Sequence, residues 1–364
     1  MIIESNVLDR QYMKYQKEYN EAALRVLNSG SYILGKEVDE FETQFASFLS
    51  SRYCVGLNSG LDSLILALSA LEIGPGDEVI VPANTYIATV MGISKNGAKP
   101  IFVEPNRYYN IDVSKIEEVI TENTKAILPV HLYGQACDMG SVMKIAKKYG
   151  LYVVEDCAQS HGSCHNNTMT GTFGDIGCFS FYPTKNLGAF GDAGAIITSD
   201  YNLALKIKTM RNYGSMQKYH NEIEGYNSRL DELQAALLKV KLAHLQMLNS
   251  ERQNIAEEYL RNISNPLILL PETAPGSSHV YHLFVVRSYE RDRFQKYLKH
   301  HGINSQIHYP IPPHLSEVYQ YLGLSKGSYP IAEKYANEVI SLPLYNGMTH
   351  SEIEYVINTI NSFK

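Results

Sequence analysis

From Tyr53 onwards, short apolar runs alternate with segments whose apolar positions recur every three or four residues. Tyr53-Cys54-Val55 precedes a helical pattern from Gly60 to Leu71, and Glu78-Val79-Ile80-Val81 precedes one from Thr85 to Asn96. Further runs follow at Pro100 to Val103, Ala126 to Val130, Tyr152 to Glu155, Ile176 to Phe181 and Ala195 to Thr198. Runs this short, apolar at successive positions, need both faces of their sheet covered. The alternation with helices predicts an α/β unit: a mainly parallel sheet with helices on both faces.

The pattern changes at Leu230. Leu230, Leu233, Leu237, Val240 and Leu248 keep a helical period, which predicts a long helix carrying the chain out of the sheet unit. Beyond it, His282 to Val286 and Ile303 to His308 read as strands on either side of a helix from Arg291 to His300, and Thr349 with Glu352 has the spacing of a capping box. The expectation is a large domain over residues 1–245 and a smaller α+β domain over residues 246–364.

Composition narrows the function classes. With 45% hydrophobic and 19% charged residues the chain has material for a large core, and a net charge of -6 argues against a protein held by nucleic-acid phosphates. The five cysteines form no CxxC, the pattern of a reducing compartment with neither a disulfide frame nor a metal site. The longest apolar stretch, Leu64 to Leu71, is far short of the ~20 residues that span a bilayer, so the expected setting is cytoplasmic, with no membrane and no nucleic acid. Gly30 to Lys36 satisfies GxxxxGK, but Glu37 follows where a phosphate loop needs Ser or Thr, and the preceding residues are helical rather than strand-like. The first strand-to-helix turn, Gly56 to Gly60, lacks the GxGxxG of a dinucleotide site.

That turn still suits a single phosphate, because the helix opening at Ser59-Gly60 presents free N–H groups and the positive end of its dipole. The segment from Val153 to Gly194 adds chemistry. One strand delivers Asp156 to its carboxyl end, where open α/β sheets bind ligands, and another delivers Ser180, followed by Lys185 in the next turn. A carboxylate, a hydroxyl and an amine then share an edge with the Ser59-Gly60 turn, and Tyr86 offers a stacking face. Pyridoxal 5'-phosphate needs such a set: an amine for its aldehyde, an acid for its ring nitrogen, and N–H groups with hydroxyls for its phosphate. Taken singly, Asp156 reads equally well as a strand-end cap, Ser180 as a core hydroxyl and Lys185 as a solvated charge.

The motifs SGSYILGKEVDEFE, GLNSGLDSLILAL, VPANTYIATV, EDCAQSHG, SFYPTKN and GYNSRLDELQAAL closely resemble those of the DegT/DnrJ/EryC1 sugar aminotransferases, which have the aspartate-aminotransferase (type I) fold. The likeness covers nearly the whole chain. It implies that Lys185 forms the covalent link to the cofactor aldehyde and Asp156 pairs with the pyridine nitrogen. Gln159 corresponds to the partner of the 3-hydroxyl side, Gly60, Leu61 and Ser180 to phosphate-binding positions, and Tyr86 to the stacking ring. Asn227 corresponds to a residue that reaches the cofactor phosphate of the neighbouring subunit, which implies a homodimer with shared active sites.

The same resemblance implies L-glutamate as amino donor and a nucleotide-linked keto-sugar as acceptor. The loop IHYPIPPHLSEVY, with His308, Tyr309 and His314, looks like that of enzymes aminating C3 of dTDP-3-keto-6-deoxyhexoses for bacterial surface glycans, rather than C4 relatives. His161, Tyr182 and Arg229 are further candidates for substrate contacts; Arg211, Lys218 and Arg229 read as pyrophosphate or carboxylate ligands or as a solvated basic loop. For base work near neutral pH, Lys185 needs its ordinary pKa of about 10.4 lowered by burial. Sugar dehydratases on this scaffold carry histidine at the lysine position, so Lys185 speaks against that class, and no added segment supports a non-catalytic binding protein.

Overall fold

Seven of the short apolar runs pair into one sheet. In the computed structural model, which describes residues 1–364, they are β1 (Tyr53–Leu57), β2 (Glu78–Pro82), β3 (Lys99–Val103), β4 (Thr124–Ile127), β5 (Tyr152–Asp156), β6 (Ile176–Ser180) and β7 (Gly194–Thr198). Their order is β1-β7-β6-β5-β4-β2-β3. All neighbours are parallel except β7, which runs antiparallel to both β1 and β6.

The strands are apolar on both sides because both sides are covered. Val79 and Val81 face one core with Val154, Ile176, Cys178 and Ile196, whereas Ile80 faces another with Ile127 and Val153. Successive side chains thus enter opposite cores, as the pleat requires. Helix α1 (Lys36–Phe48) covers the β6–β7 side through Phe41 and Phe45, while α2 (Gly60–Ala70) and α3 (Ile87–Ser94) bury Leu64, Leu66, Val90 and Ile93 on the opposite face.

The apolar period from Leu230 becomes α4 (Glu232–Asn262), a continuous helix of 31 residues that passes through the expected boundary at 245 without a break. Its second half packs Ile255, Ala256 and Tyr259 into a separate core with Phe284, Phe294, Ile340 and Val356. There β8 (Phe284–Arg287) pairs antiparallel with β9 (Val339–Leu342). The expected strand at Ile303 to His308 does not form. It makes single bridges at Ile303 and Gln306, and the prolines at 310, 312 and 313 have no N–H to continue a ladder. Gly30, in the GxxxxGK stretch, ends a helix at φ 68° rather than following a strand.

The first residues also depart from expectation, since they join the small core rather than the sheet. Ile3 is fully buried there and bridges Ile303. Arg10 forms a two-pronged pair with Glu352, 2.7 Å on each arm, at the start of α5 (His350–Asn361). Glu352 also accepts from the N–H of Thr349, completing the anticipated capping box. These donors hold the Glu352 carboxyl down to about 2, against an ordinary 4.5.

Because that carboxyl is depressed, its contribution to stability is full above about pH 4.5 and is lost as pH falls towards 2. Glu352→Gln is expected to lower stability by roughly 1–2 kcal/mol at neutral pH, with the gap from wild type closing below pH ~4.5. Thermal unfolding of both proteins across a pH series measures this, and a gap that persists unchanged into acid would refute it.

Candidate functional site

The carboxyl ends of β5 and β6 lie side by side, Asp156 pairing in register with Cys178, and the start of α2 closes against them. Close approach of α2 depends on Gly60. A Cβ there would sit 2.4 Å from the Cβ of Ser180, and one at Gly194 would sit 2.3 Å from the carbonyl oxygen of Ser59. Ser59 caps α2 by accepting from the N–H of Asp62 at 3.1 Å. The N–H groups of the first turn, at Gly60 and Leu61, consequently open beside Ser180.

Asp156 ends β5 and is buried. Its Oδ2 accepts from the Thr89 hydroxyl at 2.8 Å and its Oδ1 from the N–H of Ala158 at 3.1 Å. Thr89 is itself held by Thr85 at 2.7 Å. Burial raises the Asp156 carboxyl, with Thr89, Ala158, Lys185 and His131 opposing the rise. No cation forms an ion pair with it. A buried carboxylate oriented by two neutral donors and left without a cation is built to receive a charged N–H from a ligand.

Lys185 follows β6 in a turn closed by its own N–H to Tyr182, and its side chain is half-buried. Loss of solvation brings its amine down to about 8, and the nearby charge of Asp156 partly offsets that fall. The two groups feel each other without pairing. That is the arrangement a planar ring between them requires, and with the Gly60 cradle it fits pyridoxal phosphate.

Gln159 is fixed from two sides. Its Oε1 accepts from the N–H of Tyr133 at 2.7 Å, which settles the amide orientation, and its Nε2 donates to the Tyr309 hydroxyl at 3.0 Å. Tyr309 therefore keeps its own hydroxyl proton for another acceptor. Its ring lies 5.0 Å from that of Tyr86, tilted by 33°, so the two aromatic residues border the same space. His308, before Tyr309, is half-buried, hydrogen-bonded through Nδ1 to Ser341 at 2.8 Å, and lowered to about 4 by burial and by Lys185. Tyr182 is 52% exposed beside Lys185.

Other sequence candidates lie elsewhere. His314 is buried against Phe102 and Tyr329, its Nε2 3.0 Å from Glu333, which rules out a substrate contact; the prolines around it turn it into the core. His161 is fully buried behind the site, packed on Phe179 and Phe181, with burial lowering it to about 3. It is too deep to meet a sugar. Arg211 is buried and paired with Glu42 while donating to the carbonyl of Gly56 at 2.8 Å, so it braces β1 instead of binding a ligand. Arg229 donates to Asn212 at 3.1 Å and lies over Tyr213. Asn227 is exposed, whereas its neighbour Ser228 is buried and joins Asp62 and the N–H of Asn58 at the start of α2.

Sequence reasoning missed Thr89 and Tyr133, the groups that orient Asp156 and Gln159. Thr89 stood in view within VPANTYIATV; Tyr133 acts through its backbone and left no side-chain signal. His131, Glu155 and Cys157 cluster like metal ligands, but the donors are spent. His131 shares its Nε2 with Glu155 and accepts the Cys137 N–H on Nδ1, while Glu155 accepts from Gly171, Phe173 and Gly174. A cavity of about 810 Å³ lined by Asp112, Asp138 and His165 contains none of the site residues.

The chain is similar to known aminotransferases over nearly its whole length. Residues 13–361 match the DegT/DnrJ/EryC1/StrS aminotransferase family. A dTDP-3-amino-3,6-dideoxy-alpha-D-galactopyranose transaminase from Aneurinibacillus thermoaerophilus is 54% identical over 96% of both chains. The crystal structure of S. venezuelae DesV, in complex with a ketimine intermediate, superposes with a TM-score of 0.97 at 45% identity, covering 99% of this chain and 98% of that one. NtdA from Bacillus subtilis with bound cofactor PMP matches at 0.89 and 34% identity, over 97% of this chain and 83% of that one.

Two substitutions separate bracing from binding. Arg211→Met leaves buried Glu42 with the Gly56 N–H at 2.8 Å and Lys208 at 3.3 Å as its one remaining cation, and is expected to cost roughly 2–4 kcal/mol of stability with KM unchanged. Gly60→Ala is expected to leave the apoprotein folded but to weaken pyridoxal phosphate binding by about tenfold or more, read by absorbance titration. A normal cofactor affinity in Gly60→Ala would contradict the cradle.

Proposed function

Because this chain belongs to the DegT/DnrJ/EryC1/StrS aminotransferase family and takes pyridoxal 5'-phosphate as its cofactor, we propose that it moves an amino group from L-glutamate to C3 of a dTDP-3-keto-6-deoxyhexose. The product would be a dTDP-3-amino-3,6-dideoxyhexose for a bacterial surface glycan. The observation that carries the reading is the buried, cation-free Asp156 facing the lowered amine of Lys185. The choice of sugar rests on the 54% identity to a transaminase named for a dTDP-3-amino-3,6-dideoxyhexose.

Bound in this site, pyridoxal phosphate supplies an aldehyde that takes up the amino group and a ring that accepts electron density from the carbon being deprotonated. The chain's residues do the rest. Asp156 keeps a proton on the ring nitrogen, and Thr89 and Ala158 aim its oxygens. The Lys185 amine, at about 8, is uncharged often enough near neutral pH to take a proton from one carbon and return it to another. Gly60, Leu61 and Ser180 would hold the phosphate, Tyr86 would cover a ring face, and Gln159 with Tyr309 would meet the oxygen side of the ligand. His308 and Tyr309 shape the sugar end, with Tyr182 and Arg229 as further contacts. A homodimer with shared sites, in which Asn227 would reach the cofactor phosphate of the neighbouring subunit, is compatible with the exposure of Asn227 beside the buried Ser228. No helix is long and apolar enough to cross a membrane.

Lys185→Ala is expected to abolish the borohydride-fixed covalent attachment of the cofactor to the chain and to reduce turnover by about a thousandfold or more. Purified wild type should bleach with glutamate and recover with a dTDP-linked 3-keto-sugar; recovery with 4-keto-sugars alone would overturn the C3 assignment. Mixing inactive Asn227 and Lys185 variants should restore part of the activity in mixed dimers, and no recovery would refute the shared site.

A further inference from the structure

The segment that carries His308 and Tyr309 has almost no support from its own backbone. From Ile307 to Ile311 no main-chain group bonds to another main-chain group, and the prolines at 310, 312 and 313 have no N–H to offer. One hydrogen bond reaches this stretch of main chain: the Tyr133 hydroxyl donates to the carbonyl of His308. Two side chains add anchors, His308 Nδ1 with Ser341 of β9 and the Tyr309 hydroxyl with Gln159.

Tyr133 reaches the same group from the other side. Its N–H donates to Gln159 Oε1 at 2.7 Å, and Gln159 Nε2 donates to Tyr309 at 3.0 Å. A closed circuit therefore runs from Tyr133 through Gln159, Tyr309 and His308 back to Tyr133. The circuit is fixed at its origin. Tyr133 is buried, its ring lies edge-on to Tyr109 at 5.3 Å, and Tyr109 lies edge-on to Tyr335 at 5.1 Å.

The main chain of Tyr133 stands at φ 59°, in the left-handed region where glycine or asparagine is at ease and a bulky aromatic residue is rare. A glycine there would still offer its N–H to Gln159. What tyrosine adds is a hydroxyl at the end of a ring that cannot swing. Burial pushes that hydroxyl well above the ordinary tyrosine range, so it stays protonated and donates. We propose that Tyr133 is a positioning residue for the acceptor sugar: its hydroxyl tethers the His308 carbonyl and thereby sets where the Tyr309 hydroxyl stands beside Gln159. The two ends of Tyr133 do separable work, the N–H aiming Gln159 and the hydroxyl aiming Tyr309.

This inference rests on the reading of Tyr309 as a residue of the sugar end. The test is steady-state kinetics of the holoenzyme with glutamate and a dTDP-linked 3-keto-sugar, for Tyr133→Phe, Tyr309→Phe and the double variant. Tyr133→Phe is expected to raise KM for the keto-sugar by about tenfold, with kcat within about threefold of wild type. Its cofactor affinity, read by absorbance titration, should be unchanged, because the N–H to Gln159 remains. Tyr309→Phe should raise KM at least as much, and the double variant should be no worse than Tyr309→Phe alone, since the tether then has no hydroxyl to place. A merely structural role for Tyr133 would make the two effects multiply. Should Tyr133→Phe fail to fold, Tyr133→Asn suits the left-handed main chain, keeps the N–H and should show the same rise. A normal keto-sugar KM in the Tyr133 variants, or multiplying effects in the double variant, overturns the tether alone if Tyr309→Phe is impaired. A normal KM in Tyr309→Phe defeats the reading of Tyr309 itself, and the tether with it.

Discussion

Asp156 is a carboxylate removed from water with hydrogen bonds but no counter-charge, and the rest of the site is arranged around that deficit. Burial of an unpaired acid is unfavourable unless a ligand completes it. The strand order places Asp156 beside β6, the turn after β6 brings Lys185 within reach of its charge, and α2 closes over Ser180 because Gly60 and Gly194 have no side chains.

The fold places these groups at the joint between two cores. The large core stabilises the sheet that delivers Asp156 and Ser180 and also seats Ile307 and Tyr309, while the small core anchors Ile303, from which the loop with His308 departs. Helix α4 belongs to both, with Leu238 and Leu245 on the sheet side and Ile255 and Tyr259 on the other. A rigid helix through the joint keeps the Lys185 loop and the small-domain segments in register. Arg10 and Ile3 add a second tie, from the start of the chain to α5 and the residues before Tyr309.

Much of this was legible in the sequence. The seven sheet strands announced themselves as apolar runs, and Asp156, Ser180 and Lys185 could be placed on one edge from strand ends alone. The small domain was harder. Val339–Leu342 follows a helix directly, with no turn residue to mark it, while Ile303 to His308 has strand composition but lacks a long partner edge. Polar residues misled for a related reason. His314, His161 and Arg211 have the chemistry of ligands, yet burial commits His314 to Glu333 and Arg211 to Glu42, and seals His161 behind Phe179 and Phe181. Sequence shows which groups can bind, but only packing shows which remain free to do so.

The account turns on whether Asp156 keeps the ring nitrogen of the cofactor protonated. A nitrogen-15 spectrum of holoenzyme loaded with ring-labelled pyridoxal phosphate reads that proton directly. The account predicts a protonated nitrogen in the wild type throughout the pH range of the folded protein, and its loss in Asp156→Asn. An unprotonated ring nitrogen in the wild type at neutral pH would contradict it.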